Sequence, residues 1–315
     1  MIITWALIQS ALELGIIYGI IALALFLTYS MLNVCDLSTD GCYTMGAAAG
    51  AVVALAGHPF LALFAAMGAG VISGLVNAFL QTKMKVESML AGIIVNTGLY
   101  TVNICIMGKS NLNMNTTTTV FSMMKDLTKD TPLESYSKMI VALMFLVLIA
   151  VLLTMFLGTR LGLSIRATGN NIAMVRSSSI NPAMTTTVGL CMGGAMTALA
   201  GCLLGEYQKS VDVNMGTGMV TVALASLIIG ETVFGRKTIK IRILGVVLGS
   251  CLYRVIVAIA LRFNLPAAAL KLVSAVIVGI AISIPAIKEI IALQKTRRAA
   301  MQRHKELYEQ QKGGK

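Results

Sequence analysis

Apolar residues in this chain come in long runs separated by short polar stretches. A helix that crosses the hydrocarbon core of a bilayer needs about 20 predominantly apolar residues. Runs of that kind lie at 6–32, 59–80, 88–108, 139–158, 184–205, 217–234, 243–262 and 271–291. A ninth segment, 41–57, is short and rich in Gly and Ala, and it follows the polar piece 33–40. It predicts a half-helix or a broken span. The pattern therefore predicts an all-α polytopic membrane protein with about 8–10 transmembrane segments, a membrane domain over 1–291 and a polar tail over 292–315.

Composition agrees with that pattern. Hydrophobic residues make up 57% of the 315 positions and charged residues only 12%, whereas a soluble domain is about 25% charged. The formal charge of +12 would suggest nucleic acid in a soluble protein. Here the cations lie between or after apolar runs, so they orient the chain in the bilayer, and no nucleic-acid partner is expected. With the N-terminus outside and the segments alternating, the inside connections and the tail, counting Lys288 at the end of the last span, hold 17 of the 25 Lys and Arg, and the outside connections hold five. The short loop GRKTIKIR (235–242) carries four cations in eight residues and belongs in the cytoplasm. This places the N-terminus out and the C-terminus in. The N-terminal run has no basic leader and is long enough to span, so no cleavable signal peptide is expected. The tail reads as a charged helix, a cytoplasmic anchor on anionic lipid. The outer loop 109–137 is polar, of mixed charge and too poor in apolar residues for its own core; it is a docking surface or a connector.

Little in the chain suggests catalysis. GETVFGRKT (230–238) resembles a phosphate-binding loop, but Arg236 breaks the spacing and the segment leaves a membrane span rather than a buried strand. His58 and His304 lack ligand-forming neighbours, and the six cysteines lie mostly inside apolar runs, where a thiol packs as a small hydrophobe. A bridge between Cys35 and Cys42 is a minor alternative. No metal site, no cofactor and no enzymatic activity are expected of this chain.

Ionisable groups at membrane depth are the chemically informative residues, because charge in hydrocarbon is costly and normally faces water or a partner. They are Glu13, Asp36, Asp40, Glu231 and Arg254. Arg254 is read either as half of a locking ion pair, with Glu13 as a candidate partner, or as a cavity lining; Glu231 lies near the cytoplasmic rim, solvated or paired. Asn96, Tyr100 and Asn103 are spaced by four and three, so they share one helix face. That face is interhelical glue or the wall of a polar path. Asp36, Asp40, Asn96, Tyr100 and Asn103 are the candidate pathway residues. The segments 23–41 and 199–218 each run from an apolar helix through a Tyr and an Asp-bearing stretch to Gly and a small-residue helix. Their opposite directions in the predicted topology suit an inverted repeat, and coincidence is the alternative.

The polar insert SIRATGNNIAMVRSSSINP (164–182) sits on the predicted inside. Gly169-Asn170-Asn171 predicts the start of a short helix with an Asn cap. Ile172, Met174 and Val175 give it an apolar patch, flanked by Arg166 and Arg176. Such a helix is too small to fold alone and needs a partner.

From this insert onward the chain resembles the permease subunits of branched-chain amino acid-type ABC importers, to which ribose-type sugar permeases are related. The likeness is carried by RATGNNIAMVRSSSINPAMTTTVGLCMGGAMTALAGCLLG, where Arg166, Ala167, Thr168, Gly169, Asn171, Ala173, Ile180 and Asn181 match the coupling pattern. Ser179 stands where that family usually has Gly. NVCDLSTDGCYTMGAAAGA is similar to a signature of a subgroup of tryptophan/tyrosine or uncharacterised-solute permeases.

The resemblance implies a bacterial plasma-membrane permease for a small polar solute, an amino acid or analogue. It implies a second permease chain as a homodimer, an extracytoplasmic solute-binding protein, and cytoplasmic ATPase subunits that hold ATP and Mg. Those subunits would grip Arg166, Ala167, Thr168, Gly169, Asn170, Asn171, Ala173, Arg176, Ile180 and Asn181. The competing readings are an ion-coupled secondary transporter, with Asp36, Asp40 or Glu13 carrying a proton or sodium, and a membrane scaffold.

Overall fold

In a computed structural model, residues 5–129, 134–235 and 238–261 are described, with isolated positions beyond 261. Apart from those positions, the predicted span 271–291 and the tail 292–315 lie outside the described residues, as do Arg236 and Lys237.

Two helices form the centre. α1 (Trp5–Leu25) is apolar on every side and continues through a π-helical turn, Phe26–Met31. α9 (Pro182–Gln208) starts with Pro at its first turn, and the Asn181 side chain accepts from Ala183 N at 3.0 Å. Pro suits that position because its missing N–H would have no helical partner there. Within their apolar windows α1 is 89% buried and α9 83%, against 28–44% for the other full-length spans. The peripheral spans are α3 (Pro59–Thr82), α4 (Ser88–Met107), α6 (Ser137–Gly158) and α11 (Ile239–Leu261). Each buries one stripe and leaves another apolar. On α6, Leu143, Met144, Val147, Leu148, Val151, Leu152 and Met155 are exposed, a face suited to lipid.

Two helices are shorter than the spans: α2 (Thr39–Leu55, 17 residues) and α10 (Met219–Phe234, 16 residues). The predicted run 217–234 forms a helix of 16 residues, its start set at Met219 by Gly218 at φ 87°. Contacts fix the directions. Gly46 of α2 faces Ala198, near the middle of α9, and Gly50 faces Cys202, so α2 runs with α9 and begins close to half-height. α10 runs against α11 through Gly230 and Gly245, and α11 runs against α1 through Cys251 and Gly15. Hence α10 runs with α1, and α1 and α9 are antiparallel, with Thr28 on Gly193 and Leu32 on Gly189. Each short helix opposes the long helix before it and follows the long helix of the other unit. An inverted repeat requires that relation.

Small residues make the tight crossings possible. A methyl group at Gly46 would strike the Ala198 carbonyl, and one at Gly201 the Tyr43 carbonyl. Without a hydrophobic force between helices in lipid, such backbone contact supplies the packing energy. Ser250 adds an interhelical bond, its hydroxyl donating to Gly15 O at 2.8 Å.

The outer loop is more ordered than its composition predicts. β1 (Asn111–Asn113) pairs antiparallel with β2 (Ser210–Asp212), Leu112 opposite Val211. α5 (Val120–Leu127) is opened by a Thr119–Ser122 capping box and buries Val120 and Phe121. Glu206, buried at the end of α9, accepts from Val120 N at 2.9 Å. The loop therefore docks on the bundle instead of building its own core. On the predicted inner side, α7 (Arg160–Asn170) and α8 (Ile172–Ser177) join α6 to α9.

Candidate functional site

The two short helices meet at their N-terminal ends, and Asp40 joins them. It lies in the first turn of α2, and its carboxylate accepts from Gly218 N at 2.8 Å and Val220 N at 2.9 Å, at the start of α10. Those N–H groups have no partner within their own helix, so an acidic acceptor satisfies both hydrogen bonding and dipole. Thr44, one turn later, accepts from Gly216 N at 3.2 Å. Gly216 itself leaves no room for a Cβ against the Asp40 carbonyl.

Beside this junction is a cavity of about 300 Å³, walled by α2, α4 and the segment 213–217. This is the lower end of the ~300–1,000 Å³ typical of small-molecule pockets. Four of the five pathway candidates converge on it: Asp40, Asn96, Tyr100 and Asn103. The Asn103 amide donates to Gly41 O at 3.1 Å and is 1% exposed. Tyr100 is 49% exposed, so its phenol opens outward from the wall.

Asp36 does not line the cavity. It is buried in the linker between α1 and α2, where it accepts from Ser38 N at 2.9 Å, from the Ser38 hydroxyl at 2.5 Å and from Asn77 Nδ2 at 2.8 Å. The Ser38 bonds fix the turn of the linker, and the Asn77 bond ties it to α3. Glu13 accepts from the Tyr207 hydroxyl at 2.8 Å and Gln9 Nε2 at 3.2 Å, so the pairing with Arg254 is not formed. The Arg254 guanidinium instead lies 3.9 Å from the Tyr18 ring centre. Glu231 is buried rather than solvated: it pairs with Arg242, and both bond Ser30 at the end of α1. Cys35 and Cys42 are free thiols.

The sequence missed Asn214 and Thr217, which wall the cavity from the second repeat, and Asn77. The glycines of VNMGTG, matching the Gly after STD in the first unit, were the available signal.

The insert 164–182 folds as two helices, broken at Asn171, whose side chain accepts from Met174 N at 3.1 Å. Gly169 is therefore inside α7, not at the start of α8. It faces Met31 and Leu32 so closely that no Cβ fits. Thr168 is buried, its hydroxyl 2.8 Å from that of Thr185, and Val175 is buried too. Arg166, Ala167 and Ile180 are half-buried. Asn170, Asn171, Ala173, Arg176 and Asn181 are exposed. The apolar patch left open is Ile172 and Met174, with Met184 of α9 and without Val175. Ser179 adopts φ 59°, the left-handed conformation that Gly takes without steric cost.

Known proteins resemble the chain over most of its length. A tyrosine transport system permease protein of Clostridioides difficile (strain R20291) is 33% identical over 272 residues, 86% of this chain and 88% of that protein. An uncharacterised protein of Rickettsia prowazekii (strain Madrid E) is 28% identical over 278 residues, 87% of this chain and 96% of its own length. No solved structure matches. The family described as branched-chain amino acid transport system / permease component matches residues 7–285. With its apolar spans and paired half-helices, the chain belongs to that family of multi-pass membrane permeases.

Proposed function

We propose that this chain forms the translocation pathway of an ATP-driven importer for tyrosine or a similar amino acid, and that the cavity beside the half-helix junction is a station on that pathway. The observation that carries the reading is the convergence of Asp40, Asn96, Tyr100 and Asn103 on one cavity where two helices begin inside the bundle. Broken helices expose backbone groups at that depth, which suits a polar solute. The tyrosine transport permease among the relatives supports the solute class.

Partners follow from three surfaces. The exposed polar face of α4, with Thr97, Tyr100 and Thr101, is a poor neighbour for lipid and suits a second copy across a shared path. The open side of α8 is the seat for a cytoplasmic ATPase subunit, which would hold ATP and Mg. A solute-binding protein delivers from the side of α5. Because Gly169 packs on Leu32, force on α7 and α8 reaches the linker that starts α2.

The test is uptake of radiolabelled L-tyrosine into proteoliposomes holding the chain, its ATPase subunits and its binding protein. Uptake should require ATP without any ion gradient. Asp40→Ala and Asn96→Leu should lower it on the order of tenfold, the effect of losing one or two polar contacts. Uptake by both variants at the parent rate would remove the cavity from the pathway, and uptake driven by an ion gradient alone would favour the secondary transporter.

A further inference from the structure

The polar groups of the cavity are unevenly divided. The Asp40 carboxylate accepts from the N–H groups of Gly218 and Val220 and also faces that of Met219, and a carboxylate offers about four lone-pair sites, so about one remains. Asn103 can be oriented without ambiguity. Its amide meets the Gly41 carbonyl, itself an acceptor, so the atom at that contact is the donating Nδ2. Its Oδ1 is then left buried with no hydrogen-bond partner. A buried carbonyl oxygen without a donor is destabilising, and a ligand that supplies the donor recovers that loss. Among the described residues no Lys, Arg or His lines the cavity. Asn96, Asn214, Thr217 and Tyr100 can each donate or accept.

We infer that this cavity recognises an ammonium group, with Asp40 supplying the countercharge and Asn103 Oδ1 a neutral acceptor for a second N–H. The inference rests on the pathway reading and specifies it: the amino end of the solute, not its carboxylate, is what this chain holds. A carboxylate would meet Asp40 with no cation to offset the repulsion. An R–NH₃⁺ group carries three donors, enough for Asp40, Asn103 and one of the two-sided side chains.

The probes are the two halves of tyrosine: tyramine, which keeps the ammonium, and 3-(4-hydroxyphenyl)propionate, which keeps the carboxylate. Binding of each to the full chain in nanodiscs is followed by saturation-transfer NMR, which detects millimolar ligands. Tyramine should bind and the propionate should not. Asp40→Asn keeps an acceptor for α10, and Asn103→Leu keeps the Asp40 bonds to α10 while losing its own bond to Gly41 O; each should weaken tyramine on the order of tenfold. Equal binding of both probes, or unchanged tyramine binding by both variants, overturns the inference. Absence of tyramine binding overturns it as well, and if tyrosine uptake still falls in Asn96→Leu, the pathway reading stands without it. Tyramine binding that depends on Asp40, together with uptake indifferent to Asn96→Leu, leaves the ammonium site and removes it from transport. Displacement of tyramine by sodium at physiological concentration would make the site a metal-cation site and overturn the ammonium assignment.

Discussion

Two residues separate what a side chain does from what its type suggests. Ser179 is in a conformation that costs an ordinary L-residue about 1–2 kcal/mol. Ser179→Gly should unfold at or above the parent temperature in detergent, and Ser179→Val should lose about 1–2 kcal/mol, because a β-branched side chain fits that conformation poorly. Asp36 and Asp40 are four residues apart in sequence and differ in role. Asp36→Leu strands Asn77 and Ser38 without their acceptor and should cost about 2–3 kcal/mol, while Asp36→Asn stays within about 1 kcal/mol of the parent. The sequence could place both carboxylates at membrane depth. It could not assign them, because the assignment depends on Asn77 and on Gly218, residues 41 and 178 positions away along the chain.

Element boundaries were legible wherever an apolar run was long or a cap was a side chain. α3, α4, α6 and α9 follow the hydrophobic pattern, and Asn171 and Asn181 act as the caps their type predicts. Period and length say less about the ends of α10, which are set by the positive φ of Gly218 and Gly235. The Asn96, Tyr100 and Asn103 spacing put three residues on one face; that the face meets α2 and the segment 213–217 needed coordinates. On α8 the apolar residues divide between two surfaces. Glu at both Ile172 and Met174 should leave thermal unfolding within about 0.5 kcal/mol, as for surface substitutions, yet abolish co-purification of the ATPase subunit. Val175→Asp buries a charge and should cost about 3 kcal/mol or more. Retained association in the double Glu variant would move the ATPase seat off α8.

For the molecule as a whole, the ends of α1, α10 and α11 are tied by Ser30, Glu231 and Arg242. Breaking a buried pair leaves one charge uncompensated, so Arg242→Met should cost about 3–5 kcal/mol, and adding Glu231→Met should recover much of it. Additive losses would show that the two charges act independently. The direction of the bundle in the membrane is tested by labelling. With Cys105 replaced by Ala, an impermeant thiol reagent added outside should reach Leu127→Cys on α5 and spare Ala173→Cys on α8. The reverse pattern would invert the topology that the Lys and Arg distribution predicts.

The bond between Asp40 and the start of α10 spans 178 residues, so it also sets an order of assembly. At about 5–20 residues per second of synthesis, α10 leaves the ribosome roughly 10–40 s after α2. Throughout that interval the carboxylate of Asp40 has no helix end to receive it. The first repeat can insert α1, α3 and α4, but the junction at its centre cannot close until the second repeat arrives. Closure of the junction therefore waits for the second repeat, and a chain truncated before Gly218 should be held by insertion or quality-control factors instead of accumulating as a stable half.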